Sequence, residues 1–210
     1  MKTRTPILRI GCLAAICLAS GCATEKNKPG GIASCCATNL EPAAALTGKS
    51  VYQIGSTWTT DTGQPIKLAA LCGRPQVVAM FFTRCQNACP ITVTDMKRIE
   101  AALPEELRSR VGFTLVSFDP ERDKPEDLHK YRQKRSLDQT RWTLLRGESA
   151  DVVGLAARLG MKYRNGARGQ FGHSNLITIL NPGGEIVHQQ IGLNQSIDET
   201  LNIIRQIAVQ

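Results

Sequence analysis

The chain has 210 residues, 42% of them hydrophobic and 21% charged, with a formal net charge of +8. This composition fits one globular domain with a tail and excludes a disordered or fibrous chain. Its 26 Lys and Arg residues are scattered rather than clustered, which excludes nucleic acid as a partner, and eight cysteines are too few for a disulfide-stapled scaffold at this length.

Residues 1–21 read as a signal peptide. Lys2, Arg4 and Arg9 give a basic start, Ile10 to Ala19 is a short apolar run, and Ala19-Ser20-Gly21 are small. The apolar run is too short to span a bilayer, which needs about 20 residues. Leu18-Ala19-Ser20-Gly21-Cys22 resembles a bacterial lipoprotein processing site, although Ala19 stands where Leu is usual. That resemblance implies lipidation of Cys22 and a membrane-anchored lipoprotein on the extracytoplasmic, periplasmic side. Removing residues 1–21 brings the net charge from +8 to +5, compatible with an anionic membrane surface or an acidic partner patch. Cys35, Cys36, Cys72, Cys85 and Cys89 then remain, an odd number for an oxidising compartment.

Residues 22–50 show no period and read as a flexible tether. They carry Cys35 and Cys36, adjacent cysteines that point apart and rarely bridge each other. Such a pair either catches metal in transit or has no defined role. Residues 51–210 read as the folded domain. Short runs at Tyr52–Gly55, Trp58–Thr60 and Ile66–Leu68, with Asp61-Thr62-Gly63 between two of them, predict an N-terminal β-hairpin extension. Cys72 falls on the turn before the main strand, either without function or as a resolving thiol.

The apolar run from Val77 to Phe82 predicts a buried strand. Ile91, Val93, Met96, Ile99 and Leu103 then recur at helical spacing from Pro90 onward. Cys85 and Cys89 therefore lie on the strand-to-helix turn, roughly 6 Å apart on one face if the first helical turn includes them. Free amides and the positive dipole end there favour thiolate. Two neighbouring thiolates can form a reversible disulfide or take a soft metal such as Cu(I).

Gly112 to Phe118 predicts a second strand, ending in the charged loop Asp119–Pro125. A helix follows over Glu126–Arg135, then a short strand over Trp142–Leu145. Another helix spans Ser149–Leu159, with Ser149 as N-cap and Gly160 as stop. Asn165–Gly172 reads as a mobile loop, Leu176–Ile191 as a hairpin turning at Asn181–Gly184, and Ser196–Val209 as the closing helix. This order predicts an α/β chain of thioredoxin-like arrangement, a central mixed sheet flanked by helices. Sites in such sheets form at the carboxyl ends of strands, where Cys85/Cys89, Asp119/Asp123 and His173 converge. An imidazole beside two thiolates completes a three-ligand site suited to Cu(I) and able to hold Cu(II). Asp119 and Asp123 are alternatively turn and helix-capping residues. His129 and His188 read as surface residues of a helix and a strand.

Phe82-Thr83-Arg84-Cys85 through Cys89-Pro90, Ser117 to Asp123 with Pro125, and Gly172-His173-Ser174 together resemble the Sco/SenC family of copper chaperones for cytochrome c oxidase. The similarity covers roughly residues 50–208. It implies Cys85, Cys89 and His173 as copper ligands, and Asp119 and Asp123 as an acidic loop that shapes the site or its partner contacts. Partners implied are the copper-centre subunit of a respiratory oxidase and another copper carrier. Gln86 departs from the Pro often found there, and a lipoprotein-like signal replaces the transmembrane anchor of many members.

Two function classes compete. The first is a metallochaperone, not an enzyme, that delivers copper to the dinuclear copper centre or reduces that centre's cysteines through a Cys85–Cys89 disulfide. The alternative is a general extracytoplasmic thiol-disulfide oxidoreductase; CxxxC spacing and the absence of a Pro at Gly172–Asn175 oppose it. A peroxide-consuming enzyme would want Thr-x-x-Cys, and Thr83-Arg84-Cys85 is one residue short.

Overall fold

The computed structural model describes residues 46–165 and 171–209, with the backbone alone at 163–165 and 171–173. The signal segment, Cys22, Cys35 and Cys36 lie outside the described residues.

Three parallel strands form the centre: β3 (Gln76–Phe81), β4 (Gly112–Ser117) and β5 (Trp142–Arg146). Every residue of β3 and β4 is buried, as a strand covered on both faces requires. An N-terminal hairpin of β1 (Thr57–Thr60) and β2 (Pro65–Lys67) joins antiparallel to β5. On the other side, β8 (Leu176–Leu180) pairs antiparallel with β3, and β9 (Ile186–Ile191) closes the edge. The seven-stranded order is β2-β1-β5-β4-β3-β8-β9, and β6 (Tyr163–Asn165) with β7 (Phe171–His173) makes a separate two-stranded ribbon. This is the expected α/β, thioredoxin-like arrangement with its hairpin extension.

Helix α1 (Ala88–Ala102) links β3 to β4, and α3 (Pro125–Arg135) links β4 to β5. Both connections step across the sheet in the same direction, so right-handed crossovers place the two helices on one face. Lys97 of α1 donates to the carbonyl of Arg135 at the end of α3, at 3.0 Å. A short α2 (Glu105–Arg108), not expected from the sequence, follows α1. Helix α4 (Ser149–Arg158) precedes β6, and α5 (Asp198–Ala208) ends the fold. Asp95 of α1 is fully buried and accepts the Asn194 amide at 2.8 Å, fastening the β9–α5 loop to α1.

Four local expectations change. Tyr52–Gly55 is not a strand: Val51–Gln53 forms a 3-10 turn, because the Ser50 side chain accepts the Tyr52 amide and Val51 donates to the Gly184 carbonyl. Gly184 has φ of +82°, and a Cβ there would lie 2.4 Å from Tyr52, so the turn admits only glycine. Ser149 is the first helical residue and Glu148 the N-cap, with no side-chain cap bond. Gly160, at φ +68°, does end that helix. The segment around Asn165 and Phe171 pairs as the β6–β7 ribbon, since its flanks carry strand-forming Tyr163 and Phe171 on either side of the glycines. His188 is half-buried rather than on the strand surface, its Nε2 3.1 Å from the Thr200 hydroxyl of α5.

Candidate metal centre

β3 ends at Phe81 and α1 begins at Ala88, which leaves six residues for the turn. Within it the Cys85 amide donates to the Phe82 carbonyl at 3.2 Å. Asn87 occupies the N-cap position but makes no side-chain cap bond. The Cys85 sulfur takes that role instead and accepts the Cys89 amide at 3.3 Å. Pro90, third in the helix, removes one of the donors a helix start leaves open. The spacing of four therefore sets Cys85 Sγ directly against the first turn that carries Cys89.

Neither Cys85 nor Cys89 is in a disulfide. Cys85 is partly exposed, whereas Cys89 is 1% exposed within the core. Burial pushes the Cys89 thiol well above its ordinary value, and its hydrogen bond to the Cys85 sulfur raises it further. The amides of Phe82 and of Cys89 itself act the other way and lose. The expected thiolate preference at the helix start thus fails for Cys89, because desolvation outweighs the dipole.

Asp123 ties this turn to the next loop. It is completely buried, and its carboxylate accepts the Thr83 amide at 3.0 Å, the Thr83 hydroxyl, and the Ser117 hydroxyl at 2.6 Å. Ser117 is the last residue of β4 and pairs with Phe81. One carboxylate so clamps the C-terminal ends of two adjacent strands, two residues before Cys85. The α3 cap belongs to the Lys124 amide and the Asp127 side chain, 3.1 Å apart, so Asp123 does not cap that helix. Asp119 is 5% exposed, and its backbone amide donates to the Ser117 hydroxyl at 3.1 Å. Burial raises its pKa above the usual carboxylate value, Arg122 at 3.3 Å opposes the shift, and Asp123 adds to it.

His173 ends β7, where its backbone pairs with Tyr163. It precedes β8, which pairs Ala79 with Ile177 and runs opposite to β3. The backbone at 173 therefore emerges at the carboxyl pole of β3, where the cysteine turn also lies. Its side chain is outside the described residues. Among the described residues no group of three His, Cys, Asp or Glu side chains gathers into a metal site. The Cys85/Cys89 sulfurs are soft donors held side by side, and they fit a soft ion such as Cu(I).

Cys72 is disulfide-bonded. Since neither Cys85 nor Cys89 is in a disulfide, its partner lies outside the described residues. It stands at the opposite end of β3 from the cysteine turn, so it is neither an idle turn residue nor the resolving thiol of that pair. Sequence reasoning also missed a buried ion pair. Arg132 of α3 forks onto Asp61 in the β1–β2 turn, with Nη2 2.8 Å from Oδ1, and His129 Nδ1 is 3.5 Å from the same carboxylate. The acid and base are far apart in sequence, and no local pattern announces them.

The SCO1/SenC family profile matches residues 47–208. A candidate copper-binding protein of Stutzerimonas stutzeri is 28% identical over 127 residues, which span 59% of this chain and 61% of that relative, under two thirds of its length. A SCO1/SenC family lipoprotein from Bacillus anthracis has a similar structure, with a TM-score of 0.66 and 25% identity, covering 72% of this chain and 92% of that one. ScoI from Bradyrhizobium japonicum, solved with copper bound, shares the fold at a TM-score of 0.58 and 19% identity, covering 72% and 96%. With the family profile covering nearly the whole folded domain, the CxxxC turn, the Asp119–Asp123 loop and the fold agree: the chain belongs to the SCO1/SenC family.

Proposed function

We propose that this protein carries copper as cargo between Cys85, Cys89 and His173, and that it serves the assembly of the dinuclear copper centre of a respiratory cytochrome c oxidase. The observation that supports the reading most is the sulfur pair: Cys85 Sγ within 3.3 Å of the Cys89 amide, at the open start of a helix. Copper is the metal associated with the relative from Stutzerimonas stutzeri. The partial exposure of Cys85 suits a ligand that passes metal to an incoming thiolate. The burial of Cys89 suits the ligand that lets go last. Asp119 and Asp123 act on the site by holding its turn rather than by ligation. No helix among the described residues is long and apolar enough to cross a membrane. Lipid on Cys22 is the proposed anchor, on the extracytoplasmic side, with the residues between it and Leu46 as the tether; Thr47–Ser50 belong to the folded domain, where Ser50 is buried.

The same pair supports a second reading, reduction of the oxidase subunit's cysteines. Cys85 would attack the partner's disulfide, Cys89 would displace the partner thiolate, and two electrons and two protons would pass to the partner as the Cys85–Cys89 disulfide forms. The contrast between an accessible and a buried sulfur favours this order.

The test is a copper titration of the full chain in reduced and oxidised forms, beside Cys85→Ser, Cys89→Ser and His173→Ala. One copper that requires both reduced thiols, and weaker Cu(II) retention in His173→Ala, is the expected result. Equal binding after the Cys85–Cys89 disulfide forms would overturn the carrier reading. Unchanged Cu(II) binding in His173→Ala would remove that residue from the ligand set.

A further inference from the structure

The carrier reading makes no use of Cys72, yet Cys72 is joined in a disulfide. Its partner is neither Cys85 nor Cys89, since neither of those is in a disulfide. The rest of the chain offers Cys12, Cys17, Cys22, Cys35 and Cys36. In the lipoprotein reading the first two leave with the signal peptide, and the Cys22 sulfur carries the lipid. Cys35 and Cys36 remain.

The fold brings the start of the domain to the same place as Cys72. Cys72 closes the 3-10 turn Leu68–Leu71, its amide donating to the Ala69 carbonyl at 3.1 Å. The next amide, that of Gly73, donates to the Pro182 carbonyl in the β8–β9 turn at 3.0 Å. The first residues of the domain hold that same turn: the Ser50 hydroxyl donates to the Gly183 carbonyl, and the Val51 amide to the Gly184 carbonyl at 2.9 Å. The Tyr52 hydroxyl donates to the Leu71 carbonyl at 3.4 Å, and the Gln53 side chain to the Leu46 carbonyl at 3.0 Å. Leu46 and Cys72 both pack, half-buried, against the core. The tether therefore enters at the amino end of β3, where Cys72 sits. Cys36 lies ten positions before Leu46, a stretch that reaches roughly 33 Å when extended. A disulfide asks for Cα atoms within about 7 Å, so the reach suffices. The six residues of β3, about 20 Å of strand, separate this end from the Cys85/Cys89 turn.

We infer that Cys72 is cross-linked to one sulfur of the vicinal pair Cys35-Cys36, a staple that fastens the tether to the amino end of β3 and leaves the Cys85/Cys89 turn as the open thiol pair at the carboxyl end. This rests on the lipoprotein reading, which sets Cys22 aside, and not on copper. The bond forms by exchange with a protein disulfide of the extracytoplasmic space. The two thiols give up two protons and two electrons, and the sulfur–sulfur bond of the oxidising protein breaks to two thiols. Adjacent cysteines point apart and Cys72 has one sulfur to offer, so the other member of the pair keeps its thiol. Closing the chain between the pair and Cys72 restricts the unfolded ensemble and stabilises the domain. The staple also takes two sulfurs out of competition with Cys85 and Cys89 for a soft metal, which leaves the tether no dithiol to catch metal in transit. The end of the domain held toward the lipid is then the end away from the cysteine turn.

The test is peptide mapping of the full chain, expressed with its own N-terminal segment and kept unreduced, after iodoacetamide has blocked its thiols in denaturant. Trypsin cuts after Lys26, Lys49, Lys67, Arg84 and Lys97 but not before Pro29 or Pro75. The tether pair, Cys72 and the cysteine turn therefore fall in separate peptides, residues 27–49, 68–84 and 85–97. The expected species joins 27–49 to 68–84, carries one alkyl group on the tether peptide, and disappears on reduction. Alkylated Cys72, or Cys72 joined to 85–97 or to a second copy of its own peptide, would overturn the inference and leave the lipid anchor standing. A link to the peptide that holds Cys22 would overturn both. Stability gives an independent readout. Cys72→Ser, and the double variant Cys35→Ser with Cys36→Ser, should each lower the thermal midpoint of the unreduced protein by about 5–10 °C, and dithiothreitol should erase the difference from the parent. Equal midpoints before reduction would overturn the staple.

Discussion

Replacing Asp123 with alanine should loosen the cysteine turn and destabilise the domain together. The carboxylate accepts three hydrogen bonds, from the Thr83 amide, the Thr83 hydroxyl and the Ser117 hydroxyl. Alanine leaves those donors without an acceptor in a fully buried place. Each orphaned buried donor costs about 1–3 kcal/mol. Relief from burying a carboxylate acts in the opposite direction, and Thr83 is only partly buried, so the low end of each range applies. The expected loss is about 2–3 kcal/mol, a sizeable fraction of the roughly 5–15 kcal/mol that holds a domain folded. Asp123→Asn is the control. Its oxygen can take the Thr83 amide and the Ser117 hydroxyl while its NH2 donates to the Thr83 hydroxyl, which rotates to accept. That swap should cost about 1 kcal/mol. Urea unfolding followed by circular dichroism gives the two values, and the alkylation rate of Cys85 in native buffer reports the turn. Faster alkylation in Asp123→Ala than in Asp123→Asn is expected. If the alanine variant lies within about 1 kcal/mol of the parent, or matches the asparagine variant, the clamp does not hold the turn and the reasoning is wrong.

Asp119 carries a raised pKa in the fold, so its ionised form opposes folding above its unfolded value, and the penalty fades as pH falls through the folded value. Asp119→Asn should raise the thermal midpoint at pH 7 and shrink the midpoint's change between pH 7 and the ordinary carboxylate range; an unchanged profile would refute this. Arg132 and Asp61 have side chains 7% and 3% exposed. Arg132→Met alone should cost about 3–5 kcal/mol because it strands a buried carboxylate, and adding Asp61→Asn should restore a good part of that; chemical unfolding of both variants checks it. Cys89 holds its proton strongly, so copper loading must displace it. Competition titrations should therefore show retention tightening with rising pH, by up to about tenfold per pH unit for each proton released, and a flat profile would contradict the thiol form.

The elements that carry chemistry were legible because their signals are local. Val77–Phe82 is an apolar run with no glycine or proline, and Pro90 with Met96 and Ile99 repeats at helical spacing, so the CxxxC turn could be placed before any coordinates. Residue spacing also fixed the hairpin at Asn181–Gly184, whose glycine the structure shows to be obligatory. The Val51–Gln53 turn and the β6–β7 ribbon were not legible. The first depends on a carbonyl 133 residues away, and the second on pairing across glycines that read as a loop.

The sequence by itself determined which residues are the candidates for the chemistry: a pair of cysteines four apart at a helix start, an acidic loop after the next strand, and the family pattern that joins them. Only the tertiary structure decided how those residues behave. Burial raised the proton affinity of the buried cysteine and made one aspartate a clamp between two strand ends. Spacing along the chain sets which side chains are neighbours on one element. Solvent exclusion and hydrogen-bond partners are set by distant segments, and these decide proton affinity and rigidity.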